Sequence, residues 1–338
     1  MTEHDYDRGR FLRDAGLTLA ASQLLAAAVP AITPGSHTSF ASIKHINAGL
    51  LNIGYAELGP ANGKPVLLLH GWPYDIHSFA DVASLLAAQG YRVIVPFMRG
   101  FGSTTFLSTS TFRNCQQSVC AVDVTALMDA LKIKRAILAA FDLGARSADI
   151  VAALWPERCK GLVSVSGYLI GYPAHNSLPT PPQFEHAFWY QYYFATKTGL
   201  EGYTKYLDDF NKYIWQLSSP KWNFSDATYA RTAAAFNNPD HVAIIIHNYR
   251  WRLGLANGEA KYDGLEKQLA ALPTIAVPTI TMEGDANGAA HAPPAAYRAR
   301  FTGKYDQRTL TGGIGHNLPQ EAPQQFAQAV VDVDGFAP

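Results

Sequence analysis

The chain has 338 residues, and its 27 Lys and Arg balance its 27 Asp and Glu, so its formal net charge at neutral pH is zero. This balance argues against a strongly basic nucleic-acid binder and against an acidic solvating tail. Hydrophobic residues make up 48% of the chain and charged residues 16%, a composition that excludes intrinsic disorder and allows a large core. The three cysteines form no CxxC pair and are too few for a disulfide scaffold.

The first 31 residues predict an export signal. Arginines within residues 7–13 precede an apolar stretch, 15–31, that is too short and too rich in alanine for a transmembrane helix. This stretch ends in Val29–Ala31, which is typical of a cleavage site. Residues 7–13 are similar to a twin-arginine motif, except that Gly9 stands where the second arginine belongs. We expect a periplasmic or secreted protein without a stable membrane anchor after cleavage, and a cytoplasmic protein with an N-terminal helix is the alternative.

Short apolar runs alternate with helical patterns from about Lys44 onward. The first element is a hairpin over Ile46–Leu58 that turns at Gly49. The next predicted elements are strand Val66–Leu69, helix Ser78–Gln89, strand Tyr91–Val95, helix Cys115–Leu131, strand Ala136–Ala140, helix Ala145–Trp155 and strand Cys159–Ser166. Cys115 and Cys120 are five residues apart in one predicted helix, so we expect them not to face each other.

The pattern changes between residues 168 and 272, where aromatic residues recur at helical spacing and no strand is evident. The alternation then resumes with strand Thr279–Glu283, helix Pro293–Phe301, strand Arg308–Leu310 and helix Pro319–Val331. Strands that alternate with helices predict an α/β fold with a parallel sheet covered on both faces. We therefore predict a core of residues 44–167 and 273–338, with a helical cap, 168–272, over the strand ends where such sheets bind ligands.

Three loop motifs carry candidate chemistry: Leu-His-Gly-Trp-Pro at 69–73, Ala-Phe-Asp-Leu-Gly-Ala at 140–145, and Gly-Ile-Gly-His-Asn-Leu-Pro at 313–319. Small residues two before and two after Asp142 predict a sharp strand–turn–helix corner, the nucleophile elbow, with aspartate as the nucleophile. No G-x-S-x-G occurs, which disfavours a serine esterase. A helix-capping aspartate and an ordinary core or surface His316 are the alternatives. No H-x-H or H-x-x-x-H pair suggests a metal.

In these motifs the chain resembles the α/β-hydrolase fold family, and within it the epoxide hydrolases and the haloalkane and haloacetate dehalogenases. The resemblance implies a mostly parallel central sheet flanked by helices, with an inserted helical cap and no cofactor. It also implies that Asp142, ionised at neutral pH, attacks carbon to form an ester, which water activated by His316 then hydrolyses. The oxyanion hole would be the backbone N–H groups of Trp72 and Leu143, and the bond before Pro73 would be cis.

The acid that orients His316 is expected after the strand Thr279–Glu283. Asp285 is the predicted residue, although the usual offset in the family falls nearer Asn287. Glu283 and Asn287 therefore stay as alternatives, and Asp285 could also be a simple turn residue.

The leaving group distinguishes the possible functions. An epoxide oxygen leaves as a strong base and needs an acid, whereas a halide needs only weak donors. Epoxide hydrolases of the family carry two cap tyrosines, and Tyr190 in Tyr-Gln-Tyr-Tyr-Phe and Tyr249 in Asn-Tyr-Arg are in similar contexts. We predict that Trp189, Phe194 and Arg146 bind a small hydrophobic electrophile, with no nucleic-acid partner.

Two other functions are compatible with the sequence. A haloalkane or haloacetate dehalogenase could use the same Asp/His pair, but Leu143 lacks the donor that such enzymes place after the aspartate. Arg146 matches one of two arginines that hold the haloacetate carboxylate, and it could instead be structural. A ligand-binding homologue without turnover is the second alternative. The leading prediction is the hydrolysis of an epoxide to a vicinal diol.

Overall fold

The computed structural model describes residues 28–336, so most of the predicted export signal lies outside the described residues. At the end of that segment, Val29 is buried and its N–H donates to Gln328 Oε1 at 2.7 Å. Within residues 28–336 no helix combines the length and the apolar character needed to span a bilayer.

One sheet of nine strands organises the described residues. The strands are β1 (Lys44–Ala48), β2 (Leu51–Leu58), β3 (Lys64–Leu69), β4 (Tyr91–Pro96), β5 (Thr105–Phe106), β6 (Ala136–Ala140), β7 (Cys159–Val165), β8 (Thr279–Gly284) and β9 (Tyr305–Leu310). Their order is β1-β2-β4-β3-β6-β7-β8-β9, with β5 paired to β2. The neighbouring strands β4, β3, β6, β7, β8 and β9 are parallel to one another. Strand β2 is antiparallel to β1, β4 and β5.

The α-helices either flank this sheet or belong to the chain segment that connects β7 to β8. In chain order they are α1 (Ala80–Ala88), α2 (Gln117–Ala130), α3 (Leu143–Leu154), α4 (Pro173–Asn176), α5 (Pro182–Ala187), α6 (Trp189–Ala195), α7 (Lys197–Lys205), α8 (Leu207–Ser218), α9 (Asp226–Ala233), α10 (His241–Arg252), α11 (Asp263–Ala270), α12 (Pro294–Tyr297), α13 (Leu318–Glu321) and α14 (Pro323–Asp334). Short 3₁₀ helices cover Ile76–Phe79, Pro156–Arg158, Ala234–Asn237, Ala260–Tyr262 and Arg298–Arg300. We call the segment of α4–α11 the cap.

The register of the sheet places the candidate catalytic loops side by side. Leu69 at the end of β3 pairs with Ala140 at the end of β6, and the two strands are parallel. Both strands are fully buried along this register, which explains why they are continuously apolar. The loops that follow them therefore emerge next to each other at the carboxyl edge of the sheet.

The loop after β3 also holds the cap. The Trp215 indole N–H in α8 donates to the Pro73 carbonyl at 2.7 Å, and the Trp72 indole N–H donates to the Tyr203 hydroxyl in α7 at 2.7 Å. Thr232 in α9 donates to the Asp75 carboxylate at 2.8 Å. Three separate cap helices thus bond to one core loop.

Several elements differ from the sequence expectations. The prediction that Cys115 and Cys120 do not face each other is wrong, because α2 begins only at Gln117 and helical spacing does not apply to Cys115. The two sulfur atoms lie 3.0 Å apart. The closing helix is divided at Ala322, whose backbone is not helical because the residue before Pro323 is disfavoured in the α region.

The other differences are in extent. Strand β9 begins three residues before the predicted start, and the segment 293–301 forms only α12 and a 3₁₀ turn. The two-residue strand β5 is absent from the sequence prediction because two residues give no measurable alternation.

Candidate active site

Asp142 occupies a sharp corner between β6 and α3. Its backbone has φ of +55° and ψ of −129°, in a region that few non-glycine residues adopt. Two glycines make room for this corner. A Cβ on Gly144 would lie 2.1 Å from the Leu69 carbonyl oxygen, and a Cβ on Gly71 would lie 2.3 Å from the Asp142 side chain. The small residues of the motif are therefore required by close backbone approach.

The two carboxylate oxygens of Asp142 have different surroundings. Oδ1 accepts from the Trp72 N–H at 2.8 Å and from the Leu143 N–H at 2.7 Å. Oδ2 lies 3.5 Å from His316 Nε2. Burial by itself would raise the pKa of the Asp142 carboxyl, but His316 and the two N–H donors together hold that pKa below its ordinary value. The carboxylate is therefore ionised at neutral pH, with one oxygen bonded to the two N–H donors and the other facing the imidazole.

The Trp72–Pro73 peptide bond is cis, as expected.

The backbone on either side of His316 is held by a buried glutamate that the sequence analysis did not single out. Glu321 accepts from the Gly315 N–H at 2.7 Å, the Asn317 N–H at 3.1 Å and the Ser219 hydroxyl at 2.7 Å. Ser219 Oγ in turn accepts from the His316 N–H at 2.9 Å. Burial raises the pKa of Glu321 against the lowering effect of these donors. A lone charged residue in the first turn of the predicted closing helix was the available signal.

Asp285 is not brought to the imidazole of His316. Its carboxylate accepts from the backbone N–H groups of residues 312–314, at distances of 2.9 to 3.0 Å. His316 Nδ1 is buried and has no hydrogen-bond partner within residues 28–336. Asp285 thus shapes the loop that leads to His316 without touching the ring.

The two alternatives to Asp285 bond to each other instead. Asn287 Nδ2 donates to Glu283 Oε1 at 2.6 Å. Glu283 Oε2 lies 3.5 Å from His291 Nε2 and has no hydrogen bond from the described part of the chain. Neither side chain hydrogen bonds to His316 in the described structure.

Tyr190 and Tyr249 meet beside the oxyanion donors. Their rings lie 5.3 Å apart and nearly perpendicular, and both contact the Trp72 indole, at 5.4 and 5.3 Å between ring centroids. Burial, reinforced by the nearby Asp142 charge, raises the pKa of the Tyr190 phenol. Burial also raises the pKa of the Tyr249 phenol well above its ordinary value, with smaller raising effects from Tyr190 and Asp142. Both hydroxyls therefore remain protonated at neutral pH and can donate.

The predicted substrate-binding residues have different positions. Phe194 is fully buried, with its ring 4.8 Å from that of Tyr203, and Trp189 packs on Phe210 at 5.5 Å. Both lie in the aromatic layer around the tyrosines, and neither lines the neighbouring cleft between cap and core. Arg146 does line that cleft, which has a volume of about 350 Å³.

The indole donor next to Asp142 is already occupied. The Trp72 indole N–H is bonded to Tyr203, whose hydroxyl also contacts His241 Nε2 at 3.0 Å. Leu143 contributes only its backbone N–H.

Among the described residues, no group of three or more His, Cys, Asp or Glu side chains is placed to hold a metal ion.

Comparison with known proteins identifies the family. A sequence profile described as "alpha/beta hydrolase fold" matches residues 64–244, just over half of the chain. A crystal structure from Klebsiella pneumoniae, described as a proposed epoxide hydrolase, is 62% identical with a TM-score of 0.87, and the match covers 88% of this chain and 98% of that one.

Curated relatives match over shorter stretches. Epoxide hydrolase B of Mycobacterium tuberculosis is 32% identical over 150 residues, which cover 41% of this chain and 42% of that protein. Epoxide hydrolase 3 of Siraitia grosvenorii is 31% identical over 151 residues, covering 45% and 46%. The chain thus spans less than half the length of these curated relatives. Its fold, the profile match and the Klebsiella structure together show that the chain belongs to the α/β-hydrolase fold family, within which it groups with proteins described as epoxide hydrolases.

Proposed function

We propose that this hydrolase opens an epoxide to a vicinal diol through a covalent ester on Asp142. The observation that carries the proposal is the pair of protonated tyrosines, Tyr190 and Tyr249, packed on Trp72 beside the carboxylate. An epoxide oxygen needs a proton as its C–O bond breaks, and a phenol can supply it. The names of the matched relatives support the same function.

In the proposed first step, Asp142 Oδ2 attacks an epoxide carbon while Oδ1 stays bonded to the Trp72 and Leu143 N–H groups. The C–O bond of the ring breaks, and the oxygen takes a proton from Tyr190 or Tyr249. The products are an ester of Asp142 with a neighbouring hydroxyl, and a tyrosinate.

In the second step, His316 takes a proton from water, and the water oxygen attacks the ester carbonyl. The developing charge on Oδ1 is stabilised by the same two N–H groups, which are already in place. Collapse breaks the bond between the carbonyl carbon and Oδ2, and the second proton of the water passes to the departing oxygen, which completes the diol and restores the Asp142 carboxylate. The proton on His316 returns to the tyrosinate. The sum is epoxide plus water to diol.

The dehalogenase alternative has less support from the side chains. A leaving halide needs N–H donors that are free to contact it, and the Trp72 indole N–H is bonded to Tyr203. Leu143 adds no side-chain donor. No specific observation favours halide chemistry or a non-catalytic binding role, and both remain as outcomes of the tests below.

The first test is to trap the ester. We expect His316→Gln to react with epoxides and to retain the added mass on the peptide that contains Asp142, as measured by mass spectrometry. The exposed His45 gives a matched control, since His45→Gln should turn over normally. A mass increase from organohalides alone would favour the dehalogenase, and no adduct from any electrophile would favour the binding role.

The second test addresses the tyrosines. The double variant Tyr190→Phe/Tyr249→Phe should slow ester formation from epoxides by about 10²–10⁴-fold, because the general acid is lost. Tyr213→Phe, at a cap tyrosine that is half exposed, is the matched control. Full epoxide activity in the double variant would contradict the assignment of the acid.

The location is proposed from the N-terminal sequence. Export through residues 1–31 predicts that protein recovered from the periplasm or the medium begins at Ile32, which N-terminal sequencing measures directly. An intact Met1 in protein from the cytoplasm would contradict export.

A further inference from the structure

Cys115 and Cys120 form a buried thiol pair that the proposed catalysis does not use. Cys115 lies in the loop just before α2, and Cys120 lies in the first turn of that helix. Their Sγ atoms are 3.0 Å apart, and only 3% and 6% of the two residues is exposed. The S–S bond of a disulfide is about 2.05 Å long, so a small approach of the two atoms would bring them to bonding distance.

The surroundings of the pair make Cys115 the more reactive thiol. Its hydrogen bond with Cys120 lowers the pKa of the Cys115 thiol, and the charge of Arg99 lowers it further against the effect of burial. The same hydrogen bond raises the pKa of the Cys120 thiol, and burial adds to that increase. Because the thiolate is the nucleophile in disulfide exchange, Cys115 is the residue that would attack first.

The third cysteine of the chain has a different environment. Cys159 is buried in β7, where its Sγ donates to the Gly161 carbonyl at 3.3 Å. Burial raises the pKa of the Cys159 thiol to about 12, so this thiol stays protonated and unreactive at neutral pH. It therefore serves as an internal control for the chemistry of the other two.

The segment 114–118, which begins beside the pair, attaches the C-terminal half of the cap to the core. The Cys115 N–H donates to His247 Nδ1 in α10 at 3.0 Å. Glu266 in α11 accepts from the Ser118 N–H at 3.1 Å. Both helices thus depend on the backbone position of this segment, and α10 is the helix that carries the proposed acid Tyr249. A covalent bond between residues 115 and 120 would restrain the backbone to which the two cap helices bond.

We propose that Cys115 and Cys120 form a disulfide when the protein meets an external disulfide, and that this bond fixes the segment 114–118 against the cap. The Cys115 thiolate attacks one sulfur of the external disulfide and releases a thiol. Cys120 then loses its proton and attacks Cys115 Sγ, which releases the second thiol. Two protein thiols are oxidised and one external disulfide is reduced. The proposal goes beyond epoxide hydrolysis and is measured on the purified protein, so it depends neither on that activity nor on export.

The first test equilibrates the reduced protein with equimolar reduced and oxidised glutathione, with and without urea below the unfolding midpoint, which opens buried segments. Trypsin releases both cysteines in one peptide, 114–132, and Cys159 in another. We expect the peptide 114–132 to lose the mass of two hydrogen atoms while Cys159 stays a free thiol. Cys120→Ala should prevent this loss, and the matched control Cys159→Ala should not. Three free thiols in wild type, or a stable mixed disulfide with glutathione, would overturn the proposal.

The second test compares the oxidised protein before and after treatment with a phosphine reductant. Reduction should lower the Tm by about 3–8 °C, because a closed loop of a few residues is released in the unfolded chain. It should also speed hydrogen exchange of the α10 and α11 amides, whereas Cys120→Ala should not respond to the reductant. A disulfide whose reduction changes neither the Tm nor this exchange would overturn the role given to it in holding the cap.

Discussion

Replacing Glu321 with glutamine isolates the network beneath His316. The glutamine oxygen can still accept from Ser219 and Asn317, but its NH₂ group would face the Gly315 N–H, which now donates to Oε2 at 2.7 Å. One hydrogen bond to a buried carboxylate is lost and one backbone donor is left unpaired. Since such a bond is worth about 1.5–3 kcal/mol, we expect Glu321→Gln to lower the free energy of unfolding by roughly that amount.

Glu321→Gln should slow the hydrolysis of the proposed ester more than its formation. Because Glu321 holds the backbone on both sides of His316, the imidazole should lose its alignment for water activation, which an ångström of displacement can slow by about 10²-fold. Asp142 keeps its two N–H donors, so ester formation should change little. Urea unfolding and single-turnover mass spectrometry measure the two effects, with the exposed Glu157→Gln as the matched control. Wild-type stability together with wild-type ester hydrolysis would refute the role given to Glu321.

Three further predictions follow from buried groups. The raised pKa of Asp149 means that the folded state binds more protons than the unfolded state between its ordinary pKa of 3.8 and about 8, so stability falls as the pH rises through that window. Relative to Asp149→Asn, wild type should lose up to about 1.4 kcal/mol per pH unit there in urea titrations, and a flat difference would contradict the shift. Gly144→Ala should cost about 1–3 kcal/mol or more, since its Cβ would meet backbone, whereas Gly264→Ala, with open space around it, should be neutral or stabilising. Trp215→Phe should cost about 1–3 kcal/mol by leaving the Pro73 carbonyl without its donor, and an unchanged thermal midpoint would argue against that contact.

The elbow could be predicted from the sequence because its requirements are local. A tight strand–turn–helix corner needs small residues at fixed offsets. Gly144 meets this need because the Leu69 backbone leaves no room for a Cβ, and the six-residue motif 140–145 is enough to recognise it. The buried strands could also be predicted from the sequence, because a strand covered on both faces is a continuous run of apolar residues. The elbow and the buried strands depend on residues that are neighbours in the sequence, so one sequence is sufficient to predict them.

The partners of the candidate catalytic side chains come from distant parts of the sequence. Asp285 follows a strand end where an orienting acid is expected, but the N–H groups of residues 312–314 lie closer to it than the imidazole does. The Trp72 indole N–H is bonded to a tyrosine 131 residues away, which no local pattern specifies. Cys115 similarly faces Cys120 only because α2 begins two residues later than the apolar pattern suggests.

The unequal surroundings of the two Asp142 oxygens have an isotopic consequence. Oδ1 accepts from two backbone donors before any substrate arrives, so in the proposed reaction only Oδ2 would leave with the diol. During repeated turnover in heavy-oxygen water, the side chain should therefore exchange one oxygen atom and keep the other. The first diol released by each molecule would contain an atom that was built into the protein at synthesis, and every later diol would contain only atoms from the solvent and the epoxide.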